Sequence, residues 1–159
     1  MRGMLEAARK IEGQIIEDRR TIHRYPEMGF ELPQTAAYVQ KRLAEMGIES
    51  QICGGPLPLE AQEGFAAAGF PVMKELTGVV ATIGHGEPCI LLRADMDALR
   101  LQERIDLPYR SKNDGFMHAC GHDAHTAMLL TAGRVLCRIK DQLRVCPDPG
   151  DKWSPLHAF

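Results

Sequence analysis

Apolar residues recur at helical spacing through the first quarter of the chain. Leu5, Ala8, Ile11, Ile15 and Ile22 alternate with Glu, Lys and Arg between Met4 and Arg24, which predicts one amphipathic helix that Pro26 stops. A second helix opens at Pro33, where a missing N–H costs nothing, carries Ala36, Val39, Leu43 and Met46 on one face, and ends at Gly47. Ile48 to Ile52 reads as a short strand, and the Gly-, Pro- and Ala-rich stretch Gly54 to Lys74 reads as a long loop with room for one helical turn. Leu76 to Ile83 and Cys89 to Arg93 are predicted strands, separated by the turn residues Gly84-His85-Gly86-Glu87-Pro88. The unbroken apolar run Cys89-Ile90-Leu91-Leu92 suits a strand covered on both faces. It leads into Asp95 and Asp97, at the carboxyl end of the strand, where open α/β sheets bind ligands. After a polar loop over 98–118, a third helix starts near Asp123 or Ala124, carries Met128, Ala132, Val135, Leu136 and Ile139, and fades near Leu143.

Composition narrows the classes. The 159 residues suit one domain, and a formal net charge of −2 gives neither nucleic acid nor an acidic membrane surface anything to attract. No apolar run reaches the ~18 residues of a membrane span, and Glu6 stands where a signal peptide would be apolar, so a cytoplasmic protein is expected. The five cysteines are odd in number and form no Cys-x-x-Cys pair, which argues against a disulfide framework or a zinc ribbon.

The densest chemistry lies in His118-Ala119-Cys120-Gly121-His122-Asp123-Ala124-His125-Thr126, three histidines, a cysteine and an aspartate just before a helix. Imidazole and thiolate are ligands for borderline-soft metals, and Gly121 lets the backbone turn so that Cys120 and His122 face one ion. The bland alternative is a polar loop capping a helix, with Cys120 as a small buried hydrophobe. Asp95 and Asp97 have two readings as well. They hold a metal or fix the tautomer of a metal-bound histidine, or they are solvated acids, one of them paired with Arg93 or Arg100. The lone histidines His23, His85 and His157 take a bland reading, His23 as a surface residue of the first helix.

Three segments together resemble the metal-dependent N-acyl-amino-acid amidohydrolases of the carboxypeptidase G-type metallopeptidase superfamily, which include aminoacylase-like, hippurate hydrolase and indole-acetyl-amino-acid hydrolase enzymes. They are Arg93-Ala94-Asp95-Met96-Asp97-Ala98-Leu99, Leu107-Pro108-Tyr109-Arg110-Ser111, and His118 through Leu130; Arg24-Tyr25-Pro26-Glu27-Met28-Gly29-Phe30-Glu31 resembles a further family segment. The resemblance spans about residues 10–143. It implies an α/β, three-layer zinc-exopeptidase-like catalytic domain with a mainly parallel sheet, Cys120 and His122 as metal ligands, and Asp97 as the acidic active-site residue. Asp95 and His125 are further ligand candidates. The implied cofactor is a divalent metal, zinc or manganese, with two ions in the complete enzyme, and the implied substrate is a small N-acyl amino acid hydrolysed at its amide.

The chain departs from that pattern after the histidine cluster. No Glu-Glu pair follows, Glu103 is the last glutamate, and only His157 remains as a later imidazole. Residues 144–159 read as an unrelated proline-rich tail, so residues 1–143 are expected to be a truncated catalytic domain without the small domain that mediates dimer contacts and closes over substrate. Arg100 stands where the family usually has proline. The expected protein is an incomplete and inactive amidohydrolase fragment; the alternative is a non-catalytic metal- or partner-binding remnant.

Overall fold

The computed structural model describes residues 2–84 and 90–140; most of the predicted turn at 84–88, the start of the predicted strand at Cys89, the predicted fading of the last helix near Leu143 and the expected tail over 144–159 lie outside the described residues. The elements run α1 (Arg2–Arg9), α2 (Glu12–Arg24), α3 (Pro33–Glu45), β1 (Ser50–Pro56), α4 (Leu59–Ala67), β2 (Glu75–Ala81) and α5 (His122–Cys137). The single helix predicted over the amino-terminal segment is two, with a break at Lys10–Ile11 that turns Ile11 into the interior at 7% exposure.

Helix α3 begins as expected at Pro33, but its cap comes from outside. Leu32 offers no side-chain oxygen, and the Glu27 carboxylate instead accepts the Thr35 N–H and hydroxyl, each at 2.8 Å, and the Gln34 N–H at 3.2 Å. A carboxylate there satisfies orphan donors and meets the positive end of the helix dipole. Along α3, Thr35, Ala36, Val39 and Leu43 are buried. Val39, Leu43, Ile48 and Leu130 form the core, with Tyr38, Met46, Val79, Ile83, Met96 and Cys137 packed around it. Helix α5 therefore closes the core with its buried face while presenting its first turn elsewhere.

The expected loop over 54–74 is largely structured. Strand β1 runs on to Pro56, α4 follows, and β2 returns antiparallel to β1 with Ser50 opposite Ala81 and Pro56 opposite Glu75. The fold is mixed α/β, and the sheet among the described residues is this antiparallel pair, so the expected mainly parallel sheet is not seen in them. Residues 90–97 form no strand, and Ile90, Leu91 and Leu92 are 75%, 63% and 52% exposed. Their apolar sequence asks for cover on both faces, yet no described strand lies alongside to pair their backbone groups. Phe30, Phe65 and Phe70 cluster under α4, and Thr77 ties β2 to the 30–32 segment by accepting the Leu32 N–H at 2.6 Å and donating to the Phe30 carbonyl at 3.1 Å. No helix among the described residues is long and apolar enough to cross a membrane.

Candidate metal centre

Gly121 is the hinge of the histidine-rich segment. Its φ of +85° is a left-handed conformation that glycine adopts without strain, and it launches α5 directly at His122, one residue before the expected start. His122 and His125 then fall three residues apart on one helix face, their rings stacked with centroids 5.3 Å apart. Across from them runs the extended segment with Asp95 and Asp97, tied to the helix where the Thr126 hydroxyl donates to the Asp95 carbonyl at 3.0 Å.

Asp95, His122 and His125 each present a ligand atom within 4.8 Å of the others. Asp95 Oδ2 lies 4.0 Å from His122 Nε2 and 3.9 Å from His125 Nδ1, while Asp95 Oδ1 accepts from Arg93 at 2.7 Å. Zinc–ligand bonds of about 2.1 Å at a tetrahedral angle separate neighbouring ligand atoms by about 3.4 Å. The two gaps to Asp95 exceed that by about half an ångström, and the two histidines' ligand atoms lie within 4.8 Å of each other. One imidazole nitrogen from each histidine and one carboxylate oxygen make a donor set that fits a divalent metal. The helix amino terminus opposes a cation by about 0.3–1 kcal/mol, so nearby carboxylates are needed to overcome it.

Asp97 completes the arrangement from behind. His122 Nδ1 lies 2.8 Å from Asp97 Oδ1 and 3.1 Å from the Asp97 carbonyl, so it meets two acceptors and carries the proton. The lone pair is thereby left on Nε2, the nitrogen that faces Asp95. Cys120 is exposed and does not enter this three-residue cluster; it lies on the turn two residues before His122.

Beneath the first turn of α5 is a buried polar layer that sequence reasoning missed. His23, read as a surface residue, is 2% exposed. Its Nδ1 lies 2.7 Å from Asp123 Oδ2 and its Nε2 3.2 Å from Glu103 Oε1, with Asp123 and Glu103 buried as completely. Arg19 Nε reaches Asp123 at 2.8 Å, and the Ser111 N–H donates to Glu103 at 2.6 Å. The hydrogen bond to Asp123 raises the His23 pKa above 6.5 against the opposing effect of burial. Burial alone would push Asp123 and Glu103 up, but for Asp123 the bonds to His23 and Arg19, and for Glu103 the Ser111 N–H and His23, bring them below their ordinary values. Neighbouring His118 is 3% exposed, and burial holds its pKa down at about 4. No local period could have revealed His23, because its partners lie 80 and 100 residues away in the chain.

The chain is similar to known peptidases and amidohydrolases. Residues 91–149, which contain the whole cluster, match peptidase family M20/M25/M40. The chain is 43% identical over 136 residues to the N-acetyl-L-cysteine deacetylase of Bacillus subtilis, covering 84% of this chain and 28% of that protein. It is 40% identical over 130 residues to the hippurate hydrolase of Campylobacter jejuni, covering 79% and 28%. Among solved structures, the Bacillus subtilis YXEP protein, a dinuclear metal binding peptidase from the M20 family, superposes with a TM-score of 0.66 at 33% identity, covering 86% of this chain and 34% of that one. The chain thus spans under a third of the length of these curated relatives.

Proposed function

We propose, from the match of residues 91–149 to peptidase family M20/M25/M40, that Asp95, His122 and His125 hold a divalent metal ion serving hydrolysis of the amide bond of an N-acyl amino acid. The observation that carries the reading is the convergence of these three donors within 4.8 Å, in front of a histidine whose other nitrogen is held by Asp97. The names of the relatives supply the substrate class, since an N-acetylated cysteine and hippurate are both acylated amino acids.

When bound, such an ion lowers the pKa of a water ligand and polarises the amide carbonyl. The chain's own residues do the positioning. Asp97 keeps the proton on His122 Nδ1 and fixes the plane of the ring. Arg93 holds Asp95 by Oδ1, which leaves Oδ2 towards the imidazoles. The imidazole and carboxylate set admits zinc or manganese, and Cys120, exposed on the turn before His122 and outside the three-residue cluster, would add a thiolate to it.

A proton-moving carboxylate is the missing part. Glu103, the last glutamate, is committed to His23 and to the Ser111 N–H, and among the described residues no glutamate joins the cluster. The chain by itself is therefore a metal-holding portion of a hydrolase that does not turn over. The test is to load the purified chain with zinc or manganese and assay amino acid release from N-acetyl and N-benzoyl amino acids. Retained metal without release is expected. Release that survives repurification and disappears in Asp97→Asn would overturn the inactive reading.

A further inference from the structure

The buried layer under α5 has a chemistry of its own. Both ring nitrogens of His23 face carboxylate oxygens, Asp123 at 2.7 Å and Glu103 at 3.2 Å. A neutral imidazole has one donor and would leave a nitrogen lone pair against a buried carboxylate, whereas an imidazolium donates to both, so the two contacts suit the charged ring. With Arg19 on Asp123, the four groups balance as two cations and two anions. Such a layer is costly to assemble and costlier to break singly, and it is directional where a packed apolar layer is not. Its anchors are α2, through His23 and Arg19; the 98–118 loop, through Glu103; and α5, through Asp123.

Asp123 is the second residue of α5, between His122 and His125. Its carboxylate also accepts the Ala124 N–H at 2.9 Å, so its orientation is joined to the backbone of that first turn. The edge of the Tyr109 ring meets His23 with centroids 5.7 Å apart, and the Arg19 and Arg20 guanidinium groups lie 5.0 and 4.9 Å from its centre, closing the layer from outside. We propose that His23, bridging Asp123 and Glu103, is a positioning residue that sets the first turn of α5 and thereby holds His122 and His125 in register with Asp95 for metal binding. This inference rests on the metal-site reading above.

The test measures zinc affinity, by competition with a chromophoric chelator, for the full chain and for His23→Gln, Glu103→Gln, the double variant of these two, Glu103→Ala and His122→Ala, with far-UV circular dichroism verifying folding. Glutamine at 23 can donate to Asp123, but its carbonyl then faces Glu103. Changing Glu103 to glutamine as well supplies a donor to that carbonyl and keeps an acceptor for the Ser111 N–H. Expected is a loss of about tenfold in zinc affinity for His23→Gln, as for removal of partners that orient a metal ligand, with recovery in the double variant. A purely structural role would lower the melting temperature and leave the affinity of the folded fraction untouched. Wild-type affinity in folded His23→Gln overturns the positioning role, provided His122→Ala has lost zinc. Wild-type affinity in His122→Ala overturns the metal-site reading itself. If His23→Gln does not fold, Glu103→Ala decides, because it removes the acceptor of His23 Nε2 and leaves His23 held by Asp123 alone; unchanged zinc affinity in folded Glu103→Ala overturns the proposal, and a loss with intact folding supports it.

Discussion

Removing the Asp97 side chain asks how much a carboxylate behind a metal ligand is worth when a second acceptor stands beside it. Partners that orient a ligating histidine typically contribute 10- to 100-fold in metal affinity, which is about 1.4–2.7 kcal/mol. Two features place Asp97 at the lower end. Its side chain is 36% exposed, so water screens its charge from His122, and the Asp97 backbone carbonyl also faces His122 Nδ1, at 3.1 Å. In Asp97→Ala the proton therefore stays on Nδ1 and the ligating tautomer survives, and what is lost is the charge-assisted bond at 2.8 Å and the ring orientation it fixes. Asp97→Ala should weaken zinc binding about tenfold, and Asp97→Asn, which keeps an acceptor oxygen, should weaken it less. Competition against a zinc-chelating dye in metal-free buffer reads both. An unchanged affinity would show that Asp97 does not orient the site, and a loss well beyond about a hundredfold would mean that Asp97 is itself a ligand.

The scaffold makes further predictions. Leu130, 4% exposed between Val39, Leu43 and Ile48, should cost about 3–5 kcal/mol as Leu130→Ala in urea unfolding, and a cost below about 1 kcal/mol would mean that α5 does not close the core. Glu27→Ala removes the acceptor of three bonds at the start of α3 and should cost about 1–2 kcal/mol in urea unfolding, and an unchanged midpoint would mean that the Glu27 carboxylate does not cap α3. In zinc-free protein the unfolding midpoint should fall on both sides of neutrality. The raised pKa of His23 gives stability that is complete below 6.5 and is lost as pH rises through the raised value, so this alkaline limb should vanish in His23→Gln. His118 acts oppositely: with its pKa held at about 4, its share is present above 6.5 and about 3 kcal/mol is lost as pH falls to 4, with the lowered Asp123 and Glu103 extending the acid limb. A midpoint that stays flat from pH 7 down to 4 would contradict the burial of His118.

Local signals carried part of the architecture. Pro33, the period through Val39 and Leu43, and Gly47 delimit α3 closely, and Gly121 followed by an apolar stripe announces α5. The meeting of the Asp95/Asp97 segment with the His122 turn was expected only from the family resemblance, since the aspartates by themselves read equally as solvated acids. Other features depend on contacts no window contains. His23 sits beside Ile22 on a charged helix, and only Asp123 and Glu103, brought from distant parts of the chain, give its buried ring a partner at each nitrogen. The β1–α4–β2 unit is weakly periodic because α4 buries no residue fully, and its order comes from the antiparallel ladder and the phenylalanine cluster. Residues 90–92 misled in the opposite direction: apolarity predicts a covered strand, but a strand also needs neighbours for its backbone, and none is present among the described residues.

The most direct test of the metal centre is stoichiometric titration of the metal-free chain with cobalt(II) as a spectroscopic stand-in for zinc, repeated in His122→Ala, Asp95→Asn and His125→Ala. The arrangement of Asp95, His122 and His125 predicts a bound ion with imidazole and carboxylate ligands, lost in His122→Ala and weakened in the other two. A thiolate charge-transfer band that disappears in Cys120→Ser would add Cys120 to the set. Cobalt spectra and affinities unchanged in all three cluster variants would contradict the account.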